Sequence, residues 1–435
     1  MNERSPISDT TAQVPGRQRK VDWRRILGPG LIAGASDDDP SGIGTYSQTG
    51  AQFGFSLGWT MVLTFPLMAA VQMISARIGR VTGHGIAGSL VRHFPAWLAN
   101  SIVVLLLAAN TINIGADLGA MADATALITG WHPTLFLILF AVFCAMSEVV
   151  MRYASYVRVL KWLTLALLAY VVTLFMVDVP WSRALNGLVV PQVTWGPDVL
   201  MMIVAIFGTT ISPYLFFWQA SQEAEDVQTN AEAEPLKCDP MEGRVELRRI
   251  EYDTLIGMAA SNLVAIAIIF TAAATLNAHG VTNIQTSADA AQALRPLAGS
   301  YASTIFALGI VGTGLLAVPV LAGSAAYAVG EVRRWPVGLD RKPKRAKAFY
   351  GTIIIATGIG ALMNFTPINP IRALVFAAVI NGIVAVPVMT VMMLMASRKS
   401  IMDVFTINGV LRIMGWLATA VMAASVVAMG WSMLA

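Results

Sequence analysis

The chain has 435 residues, of which 56% are hydrophobic and only 12% are charged, and its formal net charge is +4. A soluble domain carries about 25% charged residues, so this composition excludes an ordinary soluble protein and is typical of a polytopic membrane protein. The two cysteines, Cys144 in an apolar segment and Cys238 in a polar loop, do not make a disulfide framework.

The hydropathy pattern predicts eleven apolar segments after a polar N-terminal stretch, residues 1–24. That stretch has no signal-peptide core, and we expect it to be cytoplasmic and disordered. The first and sixth segments are each interrupted by a proline. The predicted segments are 26–53, 57–76, 97–129, 133–151, 159–178, 197–226, 254–276, 302–330, 349–364, 371–396 and 411–434.

The basic residues of the loops predict the orientation of the chain in the membrane. If the N-terminus is cytoplasmic, all of the 29 basic residues except Arg183, Arg295 and Arg372 lie on the cytoplasmic side. An incorrect number of segments would have removed this bias. We therefore predict a cytoplasmic N-terminus and an external C-terminus, and the positive net charge needs no nucleic acid to explain it.

The first segment contains three consecutive aspartates followed by a proline, and we call Asp37–Gly42 the first break. Proline ends a helix and nearby Gly42 loosens the backbone, and the freed polar groups must face protein or a water-filled cavity. A carboxylate in mid-membrane is costly, so Asp39 is predicted to be functional. Asp37 and Asp38 allow two interpretations, an attracting vestibule or a cap of the half-helix that faces water.

The sixth segment contains a second break, Thr209–Pro213, five segments after the first. Paired breaks in two halves point to the central site of a transporter, and the aspartate suggests a cation. Thr209 and Ser212 are candidate ligands, although their hydroxyls could instead bond back to helix carbonyls. We predict an all-α polytopic membrane protein with a LeuT-type 5+5 inverted repeat, over about 25–178 and 197–396, within a core of 25–396. An accessory eleventh transmembrane helix follows in 397–435.

Several motifs, in order and spacing, resemble the NRAMP family of divalent metal transporters. Gly28–Ile32, Asp39–Gly42 and Gly50–Gly54 resemble the family's first helix, which has Asp-Pro-Gly-Asn at its break. Gly208–Tyr214 resembles the sixth helix, where the family has Ala-Thr-Val-Met-Pro-His. Similar matches follow in Asp117–Gly119, Ala288–Gly299 and Leu321–Gly323, so the resemblance spans about 28–387.

The resemblance also implies a set of metal ligands, which the family draws from an aspartate, an asparagine, an alanine carbonyl and a methionine sulfur. These roles fall on Asp39, Gly42, Thr209 and Ser212. Methionine sulfur favours thiophilic metals, so Ser212 removes that preference, and Gly42 leaves room. A roomy site with oxygen ligands suits a partly hydrated Mg²⁺ ion, as in the similar NRAMP-related magnesium transporters, and we expect Mn²⁺ to pass as well.

The groups that couple metal entry to protons in the family are reduced in this chain. Tyr214, which does not titrate near neutral pH, stands where the family has a histidine, and Ala120 stands where it has a glutamate. Asp117 remains, although it could be only a buried partner of Asn113. We expect weak or absent proton coupling. The residues expected along the pathway or around the metal are Asp38, Asp117, Tyr214 and Asn381.

Three other functions are weaker alternatives. The first is a proton-coupled Mn²⁺ or Fe²⁺ importer of the ordinary NRAMP kind. The second is an amino-acid symporter, whose carboxylate substrate the aspartates would repel. The third, an enzyme, lacks any recognisable catalytic motif, and no cofactor is expected. The expected setting is the bacterial inner membrane, with a divalent ion as substrate, the lipid bilayer around a monomer, and no nucleic-acid partner.

Overall fold

A computed structural model describes residues 28–150, 167–192, 194–229, 233–366 and 369–434. Within these ranges the chain is helical, with short turns and 3₁₀ segments between the helices and no strand. The predicted N-terminal stretch and residues 159–166 of the fifth segment lie outside the described residues.

The helices of the first half follow the predicted segments closely. The first segment forms two helices, α1 and α2, that meet at the first break, as predicted. The bounds are α1 Pro29–Asp37, α2 Pro40–Phe53, α3 Trp59–Thr82, α4 Ile86–His93, α5 Ala96–Thr129, α6 Pro133–Val150, α7 Leu168–Met176 and α8 Trp181–Val189.

The helices of the second half extend further into the polar loops than predicted. The helix of the seventh segment begins at Gly243 rather than at residue 254, and its first three turns are charged. The bounds are α9 Pro197–Thr210, α10 Pro213–Thr229, α11 Gly243–Thr275, α12 Ser287–Ala291, α13 Arg295–Ala298, α14 Ala302–Arg333, α15 Lys347–Met363, α16 Pro370–Ala396, α17 Lys399–Met402 and α18 Gly409–Leu434.

Eight stretches in the described ranges are long and apolar enough to cross a membrane, and one of them joins α9 and α10. The other three predicted segments are the first, split into α1 and α2, the fifth, which is described only in part, and the shorter apolar helix α15. Each half of a broken helix begins at a proline, whose missing N–H costs nothing at a first helical position.

Close backbone contacts place the broken helices at the centre of the bundle. Gly34 of α1 packs against the backbone of Gly257 in α11, and Gly208 of α9 packs against Ala378 and Gly382 of α16. A Cβ atom at Gly34 or Gly208 would collide with that neighbouring backbone. Small residues let membrane helices approach this closely, so both broken helices are fixed against the helices behind them.

Candidate cation site between the two broken helices

The first break is held together by the side chain of Asp39. α1 ends at Asp37, and Asp39 is the N-cap of α2 in an extended conformation. One oxygen of its carboxylate, Oδ1, accepts hydrogen bonds from the backbone N–H of Gly42 at 2.6 Å and from the hydroxyl of Ser41 at 2.7 Å. The aspartate therefore satisfies donors that the break leaves at the start of α2.

The other carboxylate oxygen of Asp39, Oδ2, joins the break to two more helices. Asn113 of α5 donates to it from Nδ2 at 3.0 Å, and the hydroxyl of Tyr214 in α10 lies 3.4 Å away. The same hydroxyl donates to the Ser36 carbonyl of α1 at 2.9 Å. Tyr214, predicted near the metal, thus lies beside Asp39 and contacts both halves of the first broken helix.

The second break faces the first with hydroxyl and carbonyl oxygens. α9 ends at Thr210, and α10 begins at Pro213. The Ser212 hydroxyl lies 2.8 Å from the carbonyl oxygens of Gly208 and Thr209, to which it donates its proton. The Ser212 hydroxyl therefore bonds back to helix carbonyls, which the sequence analysis gave as the alternative to binding a metal ion. Its oxygen still has lone pairs that can accept a hydrogen bond or bind a cation. The carbonyl of Thr209 is engaged by this hydroxyl.

Gly42 marks the point where the two breaks come together. A Cβ atom on Gly42 would lie 3.2 Å from the carbonyl oxygen of Asp37, 3.2 Å from Oγ1 of Thr209 and 3.4 Å from Oδ1 of Asp39. The three nearest atoms at this point are all oxygens, and they come from both broken helices. Asp39, Gly42 and Thr209, three of the four positions predicted as ligands, are thus brought together.

Asp37 and Asp38 are not exposed. Their exposed fractions are 1% and 5%, and the hydroxyl of Ser261 in α11 donates to Asp37 Oδ2 at 2.6 Å and lies 3.2 Å from Asp38 Oδ1. In this conformation neither carboxylate faces open water, so the interpretation as an attracting vestibule stays a prediction, and the cap at Asp38 is buried rather than exposed to water. The two carboxylates instead enclose the first break together with α11.

Asp117 of α5 is completely buried, and neither of its carboxylate oxygens has a hydrogen-bond partner among the described residues. The backbone N–H of Ser41 faces it without reaching hydrogen-bond geometry. The alternative that Asp117 is a partner of Asn113 is wrong, because Asn113 donates to Asp39.

The carboxyl groups at the site are not paired with cationic side chains. Across the described ranges, none of the ion pairs involves Asp37, Asp38, Asp39 or Asp117. Four carboxyl groups are thus enclosed around one break without an arginine, lysine or histidine partner. Since isolated buried anions are costly, a cation is the partner that this arrangement favours.

Asn381, the remaining predicted residue, lies in α16 at the level of the second break, since its neighbour Gly382 packs against Gly208. The side chain is 1% exposed, and neither its nitrogen nor its oxygen has a hydrogen-bond partner among the described residues. A buried amide without a partner is unusual and needs an explanation. An ion or its hydration water would supply one.

Protein carboxylates alone do not complete a metal site here. Within the described ranges, no three His, Cys, Asp or Glu side chains come together in a group that could hold a metal ion. A cation between the breaks would therefore depend on carbonyl oxygens, hydroxyls and retained water. Sequence reasoning missed Ser261 as a partner of Asp37 and Asp38, and it paired Asn113 with Asp117, four residues later, rather than with Asp39.

Comparison with known proteins agrees with this architecture. The family described as Nramp, natural resistance-associated macrophage protein-like, matches residues 30–432. A divalent metal cation transporter MntH of Burkholderia ambifaria is 26% identical over 413 residues, covering 91% of this chain and 86% of the relative. That of Chromohalobacter salexigens is 26% identical over 333 residues, covering 72% of this chain and 71% of the relative.

Solved structures show the same fold at low sequence identity. A manganese transporter of Eremococcus coleocola superposes with a TM-score of 0.72 at 16% identity, covering 94% of this chain and 87% of that one. MhsT in complex with L-phenylalanine superposes with a TM-score of 0.62 at 14% identity, covering 96% of this chain and 99% of that one. The predicted LeuT-type fold is confirmed, and the chain belongs to the Nramp family.

Proposed function

We propose that this protein carries divalent cations across the bacterial plasma membrane by alternating access, with the ion bound between the two breaks. The observation that carries the proposal is the point beside Gly42, which oxygens of Asp37, Asp39 and Thr209 surround from both broken helices. Buried carboxyl groups without cationic partners support a cation as the substrate. Relatives of similar length are described as divalent metal cation transporters.

Mn²⁺ is the first candidate ion. The relatives are described as MntH transporters, and the similar solved structure is that of a manganese transporter, so the comparisons favour our alternative over our Mg²⁺ prediction. The donor set is compatible with this ion, because carboxylate, carbonyl and water ligands suit manganese as well as magnesium. Ser212 and Gly42 would then be tolerated variants of the family's ligands.

Mg²⁺ is a second candidate, and the donor atoms at the breaks favour it. The three atoms nearest the Gly42 position are oxygens, and Ser212 offers a hydroxyl where the family has a methionine sulfur. Mg²⁺ usually keeps several waters and binds through one or two carboxylates, so Asp39 with Asn381 and bound water would suffice. Entry of either ion would be driven by the membrane potential, which is worth about 4.6 kcal/mol per 100 mV for a divalent ion.

The test is ion uptake into proteoliposomes that contain a magnesium-sensitive or a manganese-sensitive dye, with internal pH recorded in parallel. We expect saturable entry of Mn²⁺, Mg²⁺ or both, and acidification during entry would indicate proton coupling. Asp39→Asn should abolish uptake while the purified protein still melts cooperatively. Asp403→Asn, which changes an exposed carboxylate outside both breaks in the same way, is the matched control. Uptake by Asp39→Asn equal to that control would refute the proposed site.

A further inference from the structure

A cavity of about 510 Å³ lies far from the two breaks, on the face that the basic residues predict to be cytoplasmic. It is bounded by α4, the end of α10, the end of α14 and the loop that follows α14. This volume falls in the range of small-molecule sites, about 300–1,000 Å³. The lining residues that matter here are His84, Arg92, Glu331, Arg334, Trp335 and Arg341.

Three arginines from separate parts of the chain converge on this cavity. In the part of the chain that the structure describes, no ion pair is formed by Arg92, Arg334 or Arg341. Arg334 has a φ of 57°, a left-handed conformation that is uncommon for a residue with a side chain. All three side chains are partly exposed to solvent, and all three line the same open pocket.

The single carboxylate of the lining, Glu331, forms no ion pair with the arginines among the described residues. Glu331 accepts hydrogen bonds from the backbone N–H groups of Gly85 and Gly88, at 2.9 and 2.8 Å. Arg92 donates to the carbonyl of Gly88 at 2.8 Å rather than to a carboxylate. The pKa of His84 is lowered from its usual value by burial and by the nearby Arg92 and His93, as expected in a positive potential.

We propose that this cavity binds the phosphate group of an anionic ligand. Guanidinium groups present a planar fork of donors that matches phosphate oxygens, and Arg334 and Arg341 lie in the lining without an ion pair among the described residues. Trp335, which is 39% exposed, offers an aromatic face beside them on which a base or a sugar can pack. The phosphate can come from a soluble nucleotide, from inorganic phosphate or from a lipid headgroup.

The experiment measures binding to the purified full-length protein in detergent. Isothermal titration with ATP or with sodium phosphate, both without divalent cations, tests the soluble sources. Native mass spectrometry after addition of phosphatidylglycerol or phosphatidylcholine tests the lipid source. The test variant is Arg334→Gln combined with Arg341→Gln, and the control is Arg333→Gln, an exposed neighbour that does not line the cavity.

We expect at least one phosphate ligand to bind, with an affinity that falls about tenfold or more in the double variant and is unchanged in the control. Binding of ATP or phosphate would identify a soluble ligand, and selective retention of phosphatidylglycerol would identify a lipid. The proposal is overturned if no phosphate ligand binds, or if the double variant binds as well as the control. Melting curves of both variants exclude loss of folding as the cause.

Discussion

The N-terminus of α1 is held by one carboxylate of α11, and replacing it should loosen the arrangement described here, in which α1 packs against α11 and which we call the closed state. Asp253 of α11 accepts hydrogen bonds from the backbone N–H groups of Gly28 at 3.2 Å, Gly30 at 2.7 Å and Leu31 at 3.0 Å. Alternating access requires one group of helices to move against another around the fixed site. We therefore expect Asp253→Asn to favour a state in which α1 has moved away from α11, which we call the open state.

The size of the effect follows from the contacts of the two carboxylate oxygens. Oδ2 of Asp253 accepts the hydrogen bond from Gly30, and Oδ1 accepts those from Gly28 and Leu31. An asparagine has one acceptor oxygen and a donor amide, so it loses one or two of these bonds. Hydrogen bonds to charged groups are worth about 1.5–3 kcal/mol each, and the helix dipole adds about 0.3–1 kcal/mol. A loss of about 3 kcal/mol shifts the equilibrium roughly 150-fold toward the open state.

The assay follows the reactivity of a cysteine that is buried in the closed state. Ser36→Cys, placed on α1 in a Cys238→Ser background, is fully buried, and the remaining Cys144 is buried as well. Alkylation by a charged maleimide in inside-out vesicles should be much faster in the Asp253→Asn variant. Glu251→Gln, at an exposed position of the same helix, is the control. Equal alkylation rates in the two variants would refute the idea that Asp253 holds α1 against α11.

Two further predictions concern the residues around the breaks. Ser212→Met should shift uptake toward Mn²⁺ and Cd²⁺ and away from Mg²⁺, because a thioether is a soft ligand. Uptake assays with competing ions measure this selectivity. Unchanged selectivity would mean that Ser212 does not contact the ion. Tyr214→Phe should lower stability by about 1 kcal/mol, seen as a lower melting temperature, because it leaves the Ser36 carbonyl without its donor. An unchanged melting temperature together with unchanged uptake would contradict the bridging role of Tyr214.

The sequence alone predicted the architecture correctly. Long apolar runs must be helices in a membrane, since every backbone polar group has to be satisfied within the segment. The two proline breaks then predicted the fold and the place of the candidate site, because proline at these positions ends a helix whatever surrounds it. The motifs around Asp39 and Ser212 identified the family, and the structure brings both breaks together as expected.

The sequence predicted the transported ion less successfully than it predicted the architecture. Ligand types at the breaks favoured Mg²⁺, whereas the relatives favour Mn²⁺. The donor atoms of Asp39, Thr209 and Ser212 are oxygens, and oxygen ligands suit both ions, so residue identity alone does not separate them.

Only the tertiary structure decided which side chains meet the aspartates. The bond from Asn113 to Asp39 spans 74 positions, that from Tyr214 to the Ser36 carbonyl spans 178, and that from Ser261 to Asp37 spans 224. Such contacts depend on the rotation and register of each helix against its neighbours. A hydropathy pattern describes which segments are buried together, but it holds no information about the angle at which two buried helices face each other.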